Sequence, residues 1–149
     1  GGGGGEPYAL EHLWIDGNWL SGGLPDGIAE YKNLESLIIY GNSLSSTLPK
    51  SISSLSNLRY LDISYNFFRG SLPMEFYDLT SLDSLYLTSN RFSGALRPKI
   101  KKLSKLNYLW LNSNKFRKVI PEELGKLSGL RSLLLQDNEF ENGPAVPPP

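Results

Sequence analysis

Catalysis needs nucleophiles, bases or metal ligands held together, and this chain supplies few of them. Its 149 residues include one histidine, His12, and no cysteine. There is thus no thiol nucleophile, no disulfide framework and no cysteine metal site. Asp16 follows His12 by four positions, which on an extended strand places both on one face about 13 Å apart. An acid–base pair works at hydrogen-bond distance, so these two cannot act on each other directly. Ser36 is the one serine that a neighbouring strand could set beside His12, and no orienting group or oxyanion donor follows it. No His, Asp and Glu set has metal-ligand spacing. The expectation is a protein that is not an enzyme, with no catalytic residue, no metal and no cofactor.

Binding is better provided for. Trp14, Tyr40, Tyr60, Tyr86, Tyr108 and Trp110 are large rings with polar tips, and Asp62 falls among them. Such side chains are enriched where proteins hold partners. A second group is basic. Arg97, Lys99, Lys101, Lys102, Lys105, Lys115, Arg117 and Lys118 lie within residues 97–118, with no acid among them. Residues 1–36 are the reverse, with Glu6, Glu11, Asp16, Asp26, Glu30 and Glu35 against Lys32 alone. Over the whole chain 15 basic residues balance 15 acidic ones, which argues against nucleic acid or an anionic membrane as partner. No apolar run approaches the roughly 20 residues that span a bilayer.

What positions these side chains is a repeat. Asparagine stands at Asn18, Asn42, Asn66, Asn90, Asn114 and Asn138, always 24 residues apart. Five before each asparagine come Leu13, Leu37, Leu61, Leu85, Leu109 and Leu133, and three before come Ile15, Ile39, Ile63, Leu87, Leu111 and Leu135. Leu20, Leu44, Phe68, Phe92, Phe116 and Phe140 follow each asparagine by two. Proline closes four units at Pro25, Pro49, Pro73 and Pro121, while the fourth unit slips to Arg97 and then Pro98. That slip predicts a locally irregular turn. Alternation before the asparagine predicts a strand with one apolar face, and the proline opens a short turn carrying Ile28, Ile52, Phe76, Ile100 or Leu124. One such unit cannot bury enough apolar surface to fold alone, so the units must stack. The asparagines read as structural, their amides satisfying turn backbone.

Units such as LRYLDISYNFFRGSLPMEFYDL resemble the leucine-rich repeat pattern LxxLxLxxNxL. The continuations LSGGLP, FRGSLP and FSGALRP resemble the plant-type, 24-residue subclass, whose units go on with LSGxIP. The resemblance runs from Leu10 to about Asn142 and implies an α/β repeat solenoid. In that fold a parallel β-sheet, here of about six strands, lines the concave side of an arc. The convex side is made of 3₁₀ or short helical turns, and a second short strand tends to follow the asparagine turn. The chain departs from the subclass in lacking the paired cysteines of its terminal caps. It divides into a Gly-rich lead-in over 1–9, the repeat domain over 10–142 and a Pro-rich tail over 143–149. Gly1–Gly5 read as linker or tag, or as stand-ins for an unassigned segment, and the tail as an extended linker or the start of a Pro-rich stalk.

Strand alternation turns the residues six, four and two before each asparagine toward the concave side. Those columns hold Trp14, Tyr40, Tyr60, Asp62, Tyr86, Tyr108 and Trp110. Parallel strands lie roughly 4.8 Å apart, so Trp14 to Trp110 spans roughly 19 Å, room for a short extended peptide, a partner loop or an oligosaccharide. The rings could instead merely stack and shield the sheet. Because Tyr60, Tyr86, Tyr108 and Trp110 look contiguous, the reading favours recognition of a protein or peptide partner there. The alternative is a structural cell-surface or cell-wall component. It would self-associate or bind acidic polysaccharide through Lys99, Lys101, Lys102, Lys105, Lys115, Arg117 and Lys118, most of them on convex or lateral surface. A flat, regular Thr or Asn array of the ice-binding kind is not offered by any column. No signal peptide opens the chain, and none of its eleven asparagines sits in an N-x-S/T sequon, which weighs against a heavily glycosylated ectodomain. The resemblance weighs the other way, and the reading leans to a secreted or cell-surface protein.

Overall fold

The computed structural model describes residues 8–143. Numbered along the chain, the first three units give β1 (His12–Trp14), β2 (Ser21–Gly22), β3 (Ser36–Ile38), β4 (Ser43–Leu44), β5 (Tyr60–Asp62) and β6 (Arg69–Gly70). The next three give β7 (Ser84–Tyr86), β8 (Arg91–Gly94), β9 (Tyr108–Trp110), β10 (Lys115–Lys118), β11 (Ser132–Leu134) and β12 (Glu139–Phe140). The odd-numbered strands form one six-stranded sheet in chain order, every pair parallel. Its register never slips. Each residue faces the one 24 positions on, so Leu37 lies beside Leu61 and Leu61 beside Leu85. The even-numbered strands form a second, shorter ladder in two pieces, β2-β4 and β6-β8-β10-β12. Five 3₁₀ turns, at Asp26–Glu30, Lys50–Ser54, Met74–Asp78, Pro98–Lys102 and Glu122–Lys126, cover the convex side of this leucine-rich repeat arc.

The core is the sum of the repeated columns. Leu37, Leu61, Leu85 and Leu109 are wholly buried, as are Ile52 and Phe76 from the 3₁₀ turns. Phe68, Phe92, Phe116 and Phe140 stack as a spine, with ring centres 6.1, 6.2 and 6.4 Å apart and planes within 12°. The exposed ends are less complete: Leu13 is half-buried and Leu133 is exposed.

Each asparagine joins its unit to the one before. Asn66 Nδ2 donates to the carbonyls of Ile63 (3.2 Å) and Ser64 (3.1 Å), and across to Ile39 (3.0 Å). Its Oδ1 accepts the Leu44 N–H at 3.0 Å. Asn42, Asn90, Asn114 and Asn138 accept the N–H of Leu20, Phe68, Phe92 and Phe116 in the same way. Asn18 stands in the first described unit and, among the described residues, its side chain bonds to the carbonyls of Ile15 and Asp16. The structural reading of these residues is borne out.

The fourth unit corrects an expectation. Its 3₁₀ turn begins eight residues after Asn90, the same offset as in the other units, and is not irregular. Proline 98 stands at the first turn position, where a fixed φ fits and no N–H is needed. Arg97 takes the extended cap conformation that Pro25, Pro49, Pro73 and Pro121 take elsewhere. Unlike a proline it keeps an N–H, which donates to the hydroxyl of the buried Tyr77 at 3.2 Å. Burial raises the Tyr77 pKa, and the Arg97 N–H opposes that rise.

At the front edge Tyr8, expected in the lead-in, stacks on Tyr31 at 4.9 Å, and its carbonyl accepts from Asn33 Nδ2. Gly1–Gly5 and the Pro-rich segment 144–149 lie outside the described residues.

Candidate functional site

The concave sheet carries its side chains in rows because the register is strict. One row reads His12, Ser36, Tyr60, Ser84, Tyr108, Ser132, and the next reads Trp14, Ile38, Asp62, Tyr86, Trp110, Leu134. Small and large residues alternate along the first row, and Ser36 and Ser84 are buried between their larger neighbours. Ser36 also fixes an indole: Trp14 Nε1 donates to its hydroxyl at 2.8 Å. Trp110 Nε1 donates to Ser132 in the same fashion at 2.9 Å. The Ser36 hydroxyl thus serves Trp14, while the His12 ring lies 6.1 Å from that indole. Among the described residues no three His, Asp or Glu side chains converge as metal ligands would.

The expected aromatic set divides in space. Tyr86 meets Trp110 edge-on, ring centres 4.7 Å apart at 64°. Beside this pair is a concavity of about 200 Å³ lined by Tyr40, Asp62, Ser64, Tyr65, Tyr86, Thr88 and Trp110. Trp14 is 64% exposed and stands apart at the first unit. Tyr60 and Tyr108 belong to the outer row, two strands from each other with Ser84 between them. The Arg59 guanidinium lies 5.8 Å from the Tyr60 ring. Of the cluster expected from Tyr60 to Trp110, Tyr86 and Trp110 touch and line the concavity, while Tyr60 and Tyr108 lie in the adjoining row of the same sheet and do not line it.

Tyr65 joins the site from a column that the alternation rule passes over. It precedes Asn66, where the backbone turns through positive φ (53°), as it does at Gly17, Gly41, Ser89, Ser113 and Asp137. The usable signal was composition, a bulky ring in a column otherwise of Gly, Ser and Asp.

Asp62 is the charged group in this concavity. Its Oδ1 accepts the Ser64 N–H at 3.0 Å, and its carboxyl is half-buried. Burial pushes its pKa up, hydrogen bonds from Ser64 partly oppose this, and the charge of Asp16 adds to the rise. Among the described residues no Lys, Arg or His forms an ion pair with it. The neighbouring Tyr40 phenol is also raised, first by hydrogen bonding to the Asp16 carboxylate, then by the Asp16 charge, desolvation and Asp62. The three concave columns hold Asp16 and Asp62 but no Lys or Arg.

The basic run spreads over separate elements. Lys99, Lys101 and Lys102 ride the 3₁₀ turn Pro98–Lys102, while Lys115, Arg117 and Lys118 ride β10. Lys105 lines a lateral hollow with Glu35, Asn57, Arg59, Ser81 and Asp83. Acids from the adjoining units reach several of these cations. Lys99 and Lys102 both pair with Asp78, at 3.4 and 2.5 Å, and Lys118 pairs with Glu141 at 3.3 Å.

Comparison with known proteins places the chain. The family described as Leucine rich repeat matches residues 32–92, and a second Leucine Rich Repeat family matches residues 9–30 and 105–127. None of the curated proteins matches it significantly in sequence. Solved structures do. The ectodomain of the Arabidopsis receptor kinase HAESA, in complex with an N-terminally extended IDA peptide hormone, is 34% identical over 89% of this chain, with TM-score 0.85. The ectodomain of the Arabidopsis receptor kinase GASSHO1/SCHENGEN3, in complex with CASPARIAN STRIP INTEGRITY FACTOR 2, is 36% identical over 88% of the chain, with TM-score 0.86. This chain spans 22% and 16% of those two, respectively. The ectodomain of the Arabidopsis receptor kinase SOBIR1 is shorter: 32% identity, TM-score 0.82, covering 87% of this chain and 71% of that one. With six unbroken 24-residue units and these likenesses, the chain belongs to the leucine-rich repeat family, in its plant-type subclass.

Proposed function

We propose that residues 10–142 form a non-enzymatic recognition array that binds a peptide or an extended segment of a partner protein across the concave sheet. One observation carries this reading: Tyr40, Tyr86 and Trp110 line an open concavity beside a half-buried carboxylate that has no ion-pair partner among the described residues. Rings that are half-exposed and already held in place, as Trp110 is by Ser132, lose little freedom when they accept a ligand. The HAESA and GASSHO1 receptor-kinase neighbours were solved with a peptide hormone and with CASPARIAN STRIP INTEGRITY FACTOR 2, which supports a peptide or protein partner here and a place at the cell surface. No helix among the described residues is long and apolar enough to cross a membrane.

Selection of peptides from a random display library on the immobilised protein tests the reading. Selected peptides are expected to lose binding to a Tyr86→Ala, Trp110→Ala double variant that still unfolds cooperatively in urea. They should keep it on a Lys101→Ala, Lys115→Ala, Arg117→Ala variant. Equal binding to the concave variant and to the original protein would sink the proposal. Assembly or acidic-glycan binding through the basic run has less support, because Lys99, Lys102 and Lys118 already face acids of the same chain.

A further inference from the structure

The concavity beside Asp62 is small and chemically asymmetric. About 200 Å³ is less than the 300 Å³ or more of a typical small-molecule site, and suits one side-chain head group. Its walls include the side chains of Tyr40, Tyr65, Tyr86 and Trp110, aromatic rings of the kind whose negative faces attract cations. Its one charge is Asp62. The Ser64 N–H donates to Oδ1, and among the described residues no Lys, Arg or His pairs with the carboxylate. The groups around it add negative charge: Asp16 bears on both Asp62 and Tyr40, and no concave column contributes a Lys or Arg. The scaffold thus holds a carboxylate among aromatic rings and provides no cation to balance it.

We infer that this concavity is the seat of an arginine side chain from the bound peptide, its guanidinium stacked on Tyr86 and Trp110 and paired with the Asp62 carboxylate. The inference rests on the peptide-binding reading and adds the chemistry of its central contact. Arginine fits better than lysine because a planar guanidinium can stack on a ring while its edge donates to a carboxylate, which a compact, strongly hydrated ammonium cannot do. An acidic or purely apolar side chain would cover the half-buried Asp62 without giving it an ionic partner.

Titration of the ¹⁵N-labelled protein with N-acetyl-arginine amide, N-acetyl-lysine amide and the neutral isostere N-acetyl-citrulline amide tests it. The arginine probe is expected to shift the Trp110 indole N–H and the Ser64 amide, and to bind roughly tenfold tighter than citrulline. Lysine should fall between them. Asp62→Asn, whose Oδ1 can still accept the Ser64 N–H, should reduce arginine to the citrulline level. Trp110→Leu should weaken both probes. Equal binding of arginine and citrulline, shifts confined to other faces, or an unchanged affinity in Asp62→Asn would each overturn the inference. The outcome separates from that of the peptide reading. Display-selected peptides that need Tyr86 and Trp110 but ignore Asp62→Asn leave the peptide site standing and remove the arginine. An arginine probe that seats beside Asp62 while no selected peptide depends on Tyr86 or Trp110 does the reverse.

Discussion

Replacing Asn66 by alanine should cost far more than replacing Asn18, although both occupy the same column. The Leu44 N–H is buried, and its hydrogen-bond partner is Asn66 Oδ1. The carbonyls of Ile39 and Ile63 lose one amide donor but keep another, from Asn42 and Asn90, while the Ser64 carbonyl keeps the Gly41 N–H. One orphaned N–H therefore dominates, at about 1–3 kcal/mol. Losing the two amide hydrogens adds about 0.5–1.5 kcal/mol each. The total is about 2–6 kcal/mol, a large share of the roughly 5–15 kcal/mol that holds a domain together. Among the described residues Asn18 bonds to two carbonyls of its own unit and accepts no N–H across units, so its replacement should cost less than about 0.5 kcal/mol. Equilibrium urea unfolding followed by far-UV circular dichroism measures both. If the two variants lose stability equally, the cross-unit hydrogen bond is not what the asparagine column contributes.

Two further outcomes follow from side chains that the repeat does not dictate. Tyr77→Phe removes the acceptor of the Arg97 N–H and should cost about 1 kcal/mol or more; in an Arg97→Pro background, where that N–H is gone, the cost should largely vanish, and a double-mutant cycle in urea reads the difference. Asp62→Asn should raise the urea midpoint near neutral pH. The Asp62 pKa is raised in the folded state, so the folded protein holds more protons than the unfolded chain and is destabilised as pH rises from the ordinary value of 3.8 through the raised one. Below 3.8 both states are protonated, and the advantage of Asn should disappear at about pH 3. Asp78 acts in the opposite direction, since the hydrogen bond from Lys102 lowers its pKa, but it is exposed and identical in both proteins, so the comparison cancels it.

The core could be read from the chain because its contacts recur at one spacing. Leu37, Leu61 and Leu85 meet 24 residues apart, and a column of like residues at a fixed interval can only mean stacking. Contacts that join unlike residues of neighbouring units carry no such signal. Tyr77 reaching the Arg97 N–H is one, and it is why Pro98 looked like a defect and is not. Asp78 reaching Lys99 and Lys102 is another, since the acid lies outside the run it neutralises. The site was half legible for the same reason. Alternation assigned Tyr40, Asp62, Tyr86 and Trp110 to one face, but not their gathering around a single hollow. Tyr65 escaped because its column sits at positive φ, where the two-residue rule of a strand no longer governs direction.

Asp62 separates the two demands on such an array. Its backbone does what those of Ile38, Tyr86, Trp110 and Leu134 do, its carbonyl accepting the Ile39 N–H at 2.9 Å, and any side chain would allow that. Its row otherwise holds Trp14, Ile38, Tyr86, Trp110 and Leu134, all large and apolar or aromatic. A carboxylate in that row is disfavoured by its own surroundings, as its raised pKa records. Where a local choice works against the scaffold, function is the usual reason for it. Asp62→Asn turns that rule into a measurement. A residue that serves the scaffold loses stability and binding together when it is replaced. A residue kept for a ligand loses binding while the fold gains stability, and the opposite signs of the two changes assign Asp62 to the ligand.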